Sequence, residues 1–182
     1  MSRSYKFRNE EGLYFVSFAT VGWVDVFTRL NYKNILIDSL QYCQKEKGLL
    51  LYSWCIMSSH VHLIIQAKEG FKLSDIIRDF KKFTSKSIIN AIEENQQESR
   101  KEWMLTIFKN SDQYNSNNSI YQFWQQHNKP IELYSPRVIQ QKLDYIHNNS
   151  VKEGWVMSPE EYLFSSAKNY NCEKGLLEIE SL

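Results

Sequence analysis

Residues 49–66 read LLLYSWCIMSSHVHLIIQ, and this stretch decides the architecture. LLLYSWCIM (49–57) and HVHLIIQ (60–66) are apolar runs of strand length, separated only by Ser58-Ser59. Two such runs across a short polar break read as a β-hairpin. Alternation along the second run puts His60 and His62 on one face and Val61 and Leu63 on the other. Two imidazoles one residue apart on rigid backbone can reach a single cation, and neutral imidazole binds a range of divalent metals. A pair of half-buried polar residues on a strand has the same spelling, so the motif needs a partner before it means chemistry.

Upstream of the hairpin, LYFVSFAT (13–20) is β-branched and aromatic-rich and reads as a strand. Asn31 looks like a helix cap, and Ile35, Leu36, Leu40 and Cys43 follow at helical spacing before Gly48. Downstream, Ser74 reads as the N-cap of a long helix whose apolar stripe is Ile76, Ile77, Phe80, Phe83, Ile88, Ala91 and Ile92. On its far side Arg78, Lys82 and Lys86 fall at i, i+4 and i+8, with Lys81 beside them. Asp75 and Asp79 lie close by, so this ridge is equally a phosphate-contact face or a solvated face laced with ion pairs.

Between residues 95 and 120 the sequence reads as a polar run, an extended segment around Met104–Phe108, and an Asn/Ser-rich loop, DQYNSNNS (112–119). IYQFWQQH (120–127) and IELY (131–134) flank Asn128-Lys129-Pro130, which suggests a second hairpin. Ser135-Pro136 opens a helix, with serine as N-cap and proline at the first helical position, running to about Asn149. The segment SPEEYLFSSAKNY (158–170) reads as short helical or irregular chain. The order strand, helix, strand, strand, helix, strand, helix predicts an α+β fold. The expected architecture is a ferredoxin-like βαββαβ core with an antiparallel sheet and an added C-terminal helix. At 182 residues one domain is expected, with its core over about 10–170.

Lys plus Arg number 22 and Asp plus Glu 21, so the chain has no global electrostatic footprint for nucleic acid, and any such footprint must be local. Cys43, Cys55 and Cys172 are odd in number and form no CxxC pair, which reads as reduced thiols. MSRSYKFRNEEG (1–12) has no apolar core of a secretory signal, and no apolar run approaches the ~20 residues that span a bilayer. A cytoplasmic protein that makes no membrane contact is the expectation.

On the helix that opens at Ser135, Gln141, Tyr145 and Asn149 share one face, while Ile139, Leu143 and Ile146 can pack on the sheet. Tyr145 is therefore not needed to complete the apolar stripe, though a boundary tyrosine with its hydroxyl in water looks the same. Asn149 can offer a carbonyl oxygen to a metal one turn from the phenol. Lys142, three residues before Tyr145, favours its phenolate.

WCIMSSHVHLII (54–65) resembles the strand-turn-strand that carries the HUH motif (His, hydrophobic, His) of single-tyrosine transposases. These are the insertion-sequence-200 type and their host-resident relatives, the REP-associated tyrosine transposases. KLDYIHNNSVKEGWV (142–156) resembles the same family's tyrosine helix, and EEYLFSSAKNY (160–170) its C-terminal ending. LSDIIRDFKKFTSKSI (73–88) looks like its intervening helix, and FWQQHNKPIEL (123–133) occupies its Trp-containing hairpin. The resemblance covers roughly residues 10–170, and the order and spacing of the motifs make the combination specific. Two departures stand out: Ser150 replaces the proline that usually follows Asn149, and the loop before Trp124 is longer and more polar than in compact members.

The resemblance implies a DNA transposase that cleaves and rejoins single-stranded DNA bearing a hairpin. Tyr145 would be the nucleophile that forms a 5′-phosphotyrosine link, with Mg²⁺ or Mn²⁺ held by His60, His62 and Asn149. Arg78, Lys81, Lys82, Lys86 and Lys142 are the candidate phosphate contacts. Trp124 is the candidate base-stacking residue, against the plain reading of Trp124 as core. Among relatives the tyrosine helix is either exchanged across a homodimer or used by a monomer, and nucleoid association follows from a DNA substrate. Rival readings are a hydrolytic metalloenzyme and a noncatalytic or domesticated nucleic-acid-binding protein of the same fold. A metallo-β-lactamase-type site needs Asp-His after the pair, where Leu63-Ile64-Ile65 stands. Replication initiators and relaxases usually carry the motif in longer chains.

Overall fold

The structure, a computed structural model, describes residues 7–110, 121–126 and 130–182. The expected loop at 112–119 and Asn128-Lys129 of the expected second hairpin lie outside them. In chain order the elements are β1 (Tyr14–Ala19), α1 (Leu30–Glu46), β2 (Leu49–Ile56), β3 (His60–Ala67), α2 (Leu73–Glu94), α3 (Lys101–Asn110), β4 (Ile131–Glu132), α4 (Pro136–His147), α5 (Asn149–Lys152) and α6 (Ala167–Tyr170). The four strands form an antiparallel sheet in the order β2-β3-β1-β4, the α+β arrangement expected of a ferredoxin-like core. β3 is an interior strand, hydrogen-bonded on both sides, so its backbone is among the most constrained in the molecule.

The two faces of the sheet are covered differently. α1 and α2 pack on one face, where Phe18 of β1 meets Phe80 of α2 edge-on at 5.8 Å between ring centroids. Val16, Val61, Leu63 and Ile65 are fully buried there. α4 crosses the opposite face against β2 and β3. Ser135 caps α4 by accepting the Val138 N–H, and Pro136 takes the first helical position, as the dipeptide dictates.

Several expectations are corrected. Met104–Phe108 lies inside helix α3, because Met104 and Phe108 are both buried one turn apart, with Leu105 and Ile107 partly buried beside them. The arms of the expected second hairpin do not pair with each other among the described residues. Both run along the same edge of β1: Gln125 N–H donates to Ala19 O, Trp124 bridges Thr20, and Ile131 and Glu132 pair with Phe15 and Tyr14. They form one interrupted edge strand, with a register slip between the two halves.

Ser74 does not cap α2, which begins at Leu73. Glu10 does so from the segment before β1, its carboxylate accepting the Ser74 N–H at 3.0 Å and the Ser74 hydroxyl at 2.7 Å. Phe83 is 61 % exposed, and Thr84 takes the buried position beside it. None of the helices formed by the described residues is long and apolar enough to cross a membrane.

Candidate active site

Alternation along β3 and the register against β1 place His60 opposite Ala19 and His62 opposite Ser17, on the face that α4 crosses. Small neighbours leave the two rings beside each other, 4.7 Å apart. Leu143 and Ile146 anchor α4 to the sheet, and Tyr145 between them turns toward the pair, its ring 5.1 Å from His62 and 6.0 Å from Phe15. Phe15 stacks on His62 at 5.6 Å, so the three rings form a triangle. Tyr145 keeps 39 % of its surface exposed, so the phenol is reachable from solvent.

His62 is 3 % exposed, and neither of its ring nitrogens has a hydrogen-bond partner. Burial, then the neighbouring His60 and Lys142, push its pKa down to about 3. Burial also lowers His60, partly offset by Glu153, and Ser59 Oγ lies 3.3 Å from its Nδ1. Both imidazoles are therefore neutral at neutral pH, the form with a lone pair to give. A buried, unpartnered polar group is costly unless something meets it, and here it suits a metal ligand.

Asn149 is the third candidate donor. α4 ends at His147, but the chain stays helical through α5, so Asn149 remains one turn below Tyr145. Its amide nitrogen donates to Tyr145 O at 2.6 Å, which leaves the side-chain oxygen as the atom with lone pairs to offer a cation. Ser150, in place of proline, permits this continuation, and its hydroxyl is buried without a partner. Among the described residues no group of three His, Cys, Asp or Glu side chains gathers to hold a metal. Two imidazoles and an amide oxygen fit a divalent ion that draws its remaining ligands from water or substrate oxygens.

Two ammonium groups bracket the tyrosine. Lys142 Nζ lies 5.6 Å from the Tyr145 ring centroid and 4.6 Å from that of Phe15, and Lys152 Nζ lies 5.4 Å from Tyr145. Lys152 and Glu153 escaped the sequence reading, although they stand at i+7 and i+8 from Tyr145. The helical period carried one turn further would have found them.

The other candidates lie elsewhere. Arg78, Lys81, Lys82 and Lys86 belong to α2, on the opposite face of the sheet from His60, His62 and Tyr145. Arg78 is paired with Asp75 and Asp79. Lys81 donates to Gln125 O at 3.0 Å, and burial lowers its pKa to about 8. It ties α2 to the edge strand and is not an outward phosphate contact. Trp124 is corrected from stacking residue to core: it is 5 % exposed, its indole N–H donates to Thr84 Oγ1 at 3.0 Å, and Phe18 and Phe27 pack on it.

A second exposed aromatic at the site is Trp23, whose ring lies edge-on to His60 at 5.6 Å. The backbone around it is tied to the β2–β3 turn through Thr20. The Thr20 N–H donates to Ser59 O, its hydroxyl lies 2.7 Å from Val24 O and 3.1 Å from Ser59 O, and its carbonyl accepts the Trp23 N–H. No pattern in the sequence marked this residue.

A family model described as "Transposase IS200 like" matches residues 23–149, more than half of the chain, including His60, His62, Tyr145 and Asn149. The chain belongs to the IS200-like transposase family. A solved structure described as a REP-associated tyrosine transposase bound to a REP hairpin shares the fold with this family member. The two are 15 % identical with a TM-score of 0.67, and the match covers 100 % of this chain and 95 % of that one. A second, described as a putative transposase from Deinococcus radiodurans R1, is 20 % identical with a TM-score of 0.46, over 81 % of this chain and 95 % of that one. No curated protein sequence matches the chain.

Proposed function

We propose that this transposase cleaves and rejoins single-stranded DNA with Tyr145 as nucleophile. The observation that carries the reading is His62: a buried, neutral imidazole with both nitrogens unpartnered, 5.1 Å from the ring of an exposed tyrosine. In the proposed step the Tyr145 oxygen bonds to the phosphorus of a phosphodiester and the bond from phosphorus to the 3′ oxygen breaks. The phenol gives its proton to solvent, and the departing 3′ oxygen takes one up. The 5′-phosphotyrosine conserves the bond energy, so a 3′-hydroxyl can reverse the step and join strands.

His60, His62 and the side-chain oxygen of Asn149 would hold a divalent ion, Mg²⁺ or Mn²⁺, which when bound polarises the phosphate and fixes its orientation. Mixed nitrogen and oxygen ligands favour Mn²⁺ over Mg²⁺, which prefers an all-oxygen shell. Lys142 and Lys152 neutralise the phosphate as it meets the phenol. A hairpin-bearing strand is the proposed substrate, in keeping with the fold shared with the hairpin-bound structure.

The test is a denaturing-gel assay for a covalent protein–DNA adduct. Tyr145→Phe is expected to abolish the adduct and leave DNA binding nearly intact. An adduct of unchanged yield would remove Tyr145 from the role. His60→Ala is expected to lose both the metal dependence and the cleavage, and calorimetry showing undiminished Mn²⁺ binding would overturn the ligand set.

A further inference from the structure

We infer that Trp23 is a preorganised stacking platform for an unpaired DNA base next to the scissile phosphodiester, a placement that rests on the cleavage site proposed above. The backbone is the first observation. Gly22 and Trp23 both have positive φ, +64° and +55°, in a tight turn that the Val24 N–H closes onto Val21 O at 3.4 Å. Turns left-handed at both central residues are dominated by Gly, Asn and Asp, because any larger side chain is strained there. Gly22 is the residue that geometry asks for, and tryptophan is not. Strain of this kind, held by surrounding structure, concentrates at functional sites.

The second observation is exposure. Trp23 is 61 % exposed while its backbone is fixed by the buried Thr20, so it does not hold the core together. Its position is the third: it stands over His60, one ring from His62 and two from Tyr145. A strand whose phosphate lies between the histidines and the tyrosine has an adjacent base within reach of this indole. Base stacking on an aromatic ring is tolerant of sequence, since every base has a π-face. With Trp124 buried, Trp23 is the exposed aromatic that meets this need.

The probes are an oligothymidylate of about twenty nucleotides and an abasic deoxyribose-phosphate strand of equal length and charge, bound without metal so that no cleavage intervenes. Wild-type protein is expected to prefer the strand with bases. Trp23→Ala and Trp23→Gly should each lose about tenfold in affinity for that strand and little for the abasic one, and Trp23→Phe should keep most of the preference. Glycine accepts the left-handed backbone, so Trp23→Gly should melt no lower than wild type, separating the loss from unfolding. Equal preference for bases in wild type and Trp23→Gly overturns the proposal, whether or not the Tyr145 adduct forms.

Discussion

The two faces of the sheet are built on opposite rules. The helical face is largely packed hydrocarbon: Phe18 lies against Phe80 and Trp124, and Val16, Val61 and Leu63 are sealed beneath α1 and α2. On the α4 face the same strands carry His60 and His62, with unpaired ring nitrogens on His62, and lysines stand over an exposed tyrosine. One face holds the fold together, and the other gives up stability by leaving the buried nitrogens of His62 unpaired beside an exposed tyrosine. A single strand, β3, serves both, because alternation sends its odd-numbered residues 61 to 65 one way and its even-numbered ones the other.

The sharpest way to break this comparison is to exchange the rules. His62→Leu should abolish adduct formation, yet raise stability by about 1 kcal/mol, because it replaces two orphaned buried nitrogens with hydrocarbon. Mn²⁺ should raise the melting temperature of wild type and not of this variant. A variant that is both inactive and clearly destabilised would show that His62 is structural. One residue along, Leu63→Ala should cost about 2–5 kcal/mol in denaturant unfolding. The Mn²⁺ affinity of the molecules that remain folded should be unchanged, and a matching loss of affinity would mean the faces are not independent.

The lysines divide in the same way. Lys142→Ala and Lys152→Ala should each slow single-turnover cleavage by about tenfold, the loss of one charge contact at the phosphate. Lys82→Ala and Lys86→Ala, from the far face, should leave that rate alone. If they matter, each lowers affinity for all strands alike and flattens the salt dependence by about one unit. A rate effect from either would place the strand's path across α2.

The smallest effect concerns Lys81. Burial holds its folded pKa near 8, below the ordinary value for lysine. The folded protein therefore binds fewer protons than the unfolded chain above pH 8, and stability is regained as pH rises through that window. Lys81→Met lacks this term. Its stability relative to wild type should shrink by about 1 kcal/mol between pH 7 and 9, and a difference that does not change with pH would show that Lys81 titrates normally.

Much of this was legible in the sequence. The β2–β3 hairpin, the capped start of α4 and the shared face of His60 and His62 follow from period and cap chemistry, and the structure shows each of them. The structure also shows Tyr145 close to the pair, an expectation that came from the family resemblance and not from periodicity. What escaped reading depends on partners distant in the chain. Met104–Phe108 is a short apolar patch whose period is ambiguous by itself, and the two arms around 128 look like a hairpin until β1 is seen to bind both. Nothing local says that Glu10 caps α2 across 64 residues, or that Trp124 rather than Trp23 is enclosed. Exposure is a property of the assembled fold, and a tryptophan's letter is the same on either side of it.

Thr20 gives the site a fixed length. Its bonds to Ser59, Val24 and Trp23 join the turn that begins the histidine strand to the turn that carries the indole. The two therefore move as one piece. In the proposed reaction, a strand gripped by a base at one end of that piece would present a set phosphodiester at the other, and the cut would be selected by span. On that reading Thr20 would make the site a ruler, with the cut shifting along the strand only when the ruler is bent.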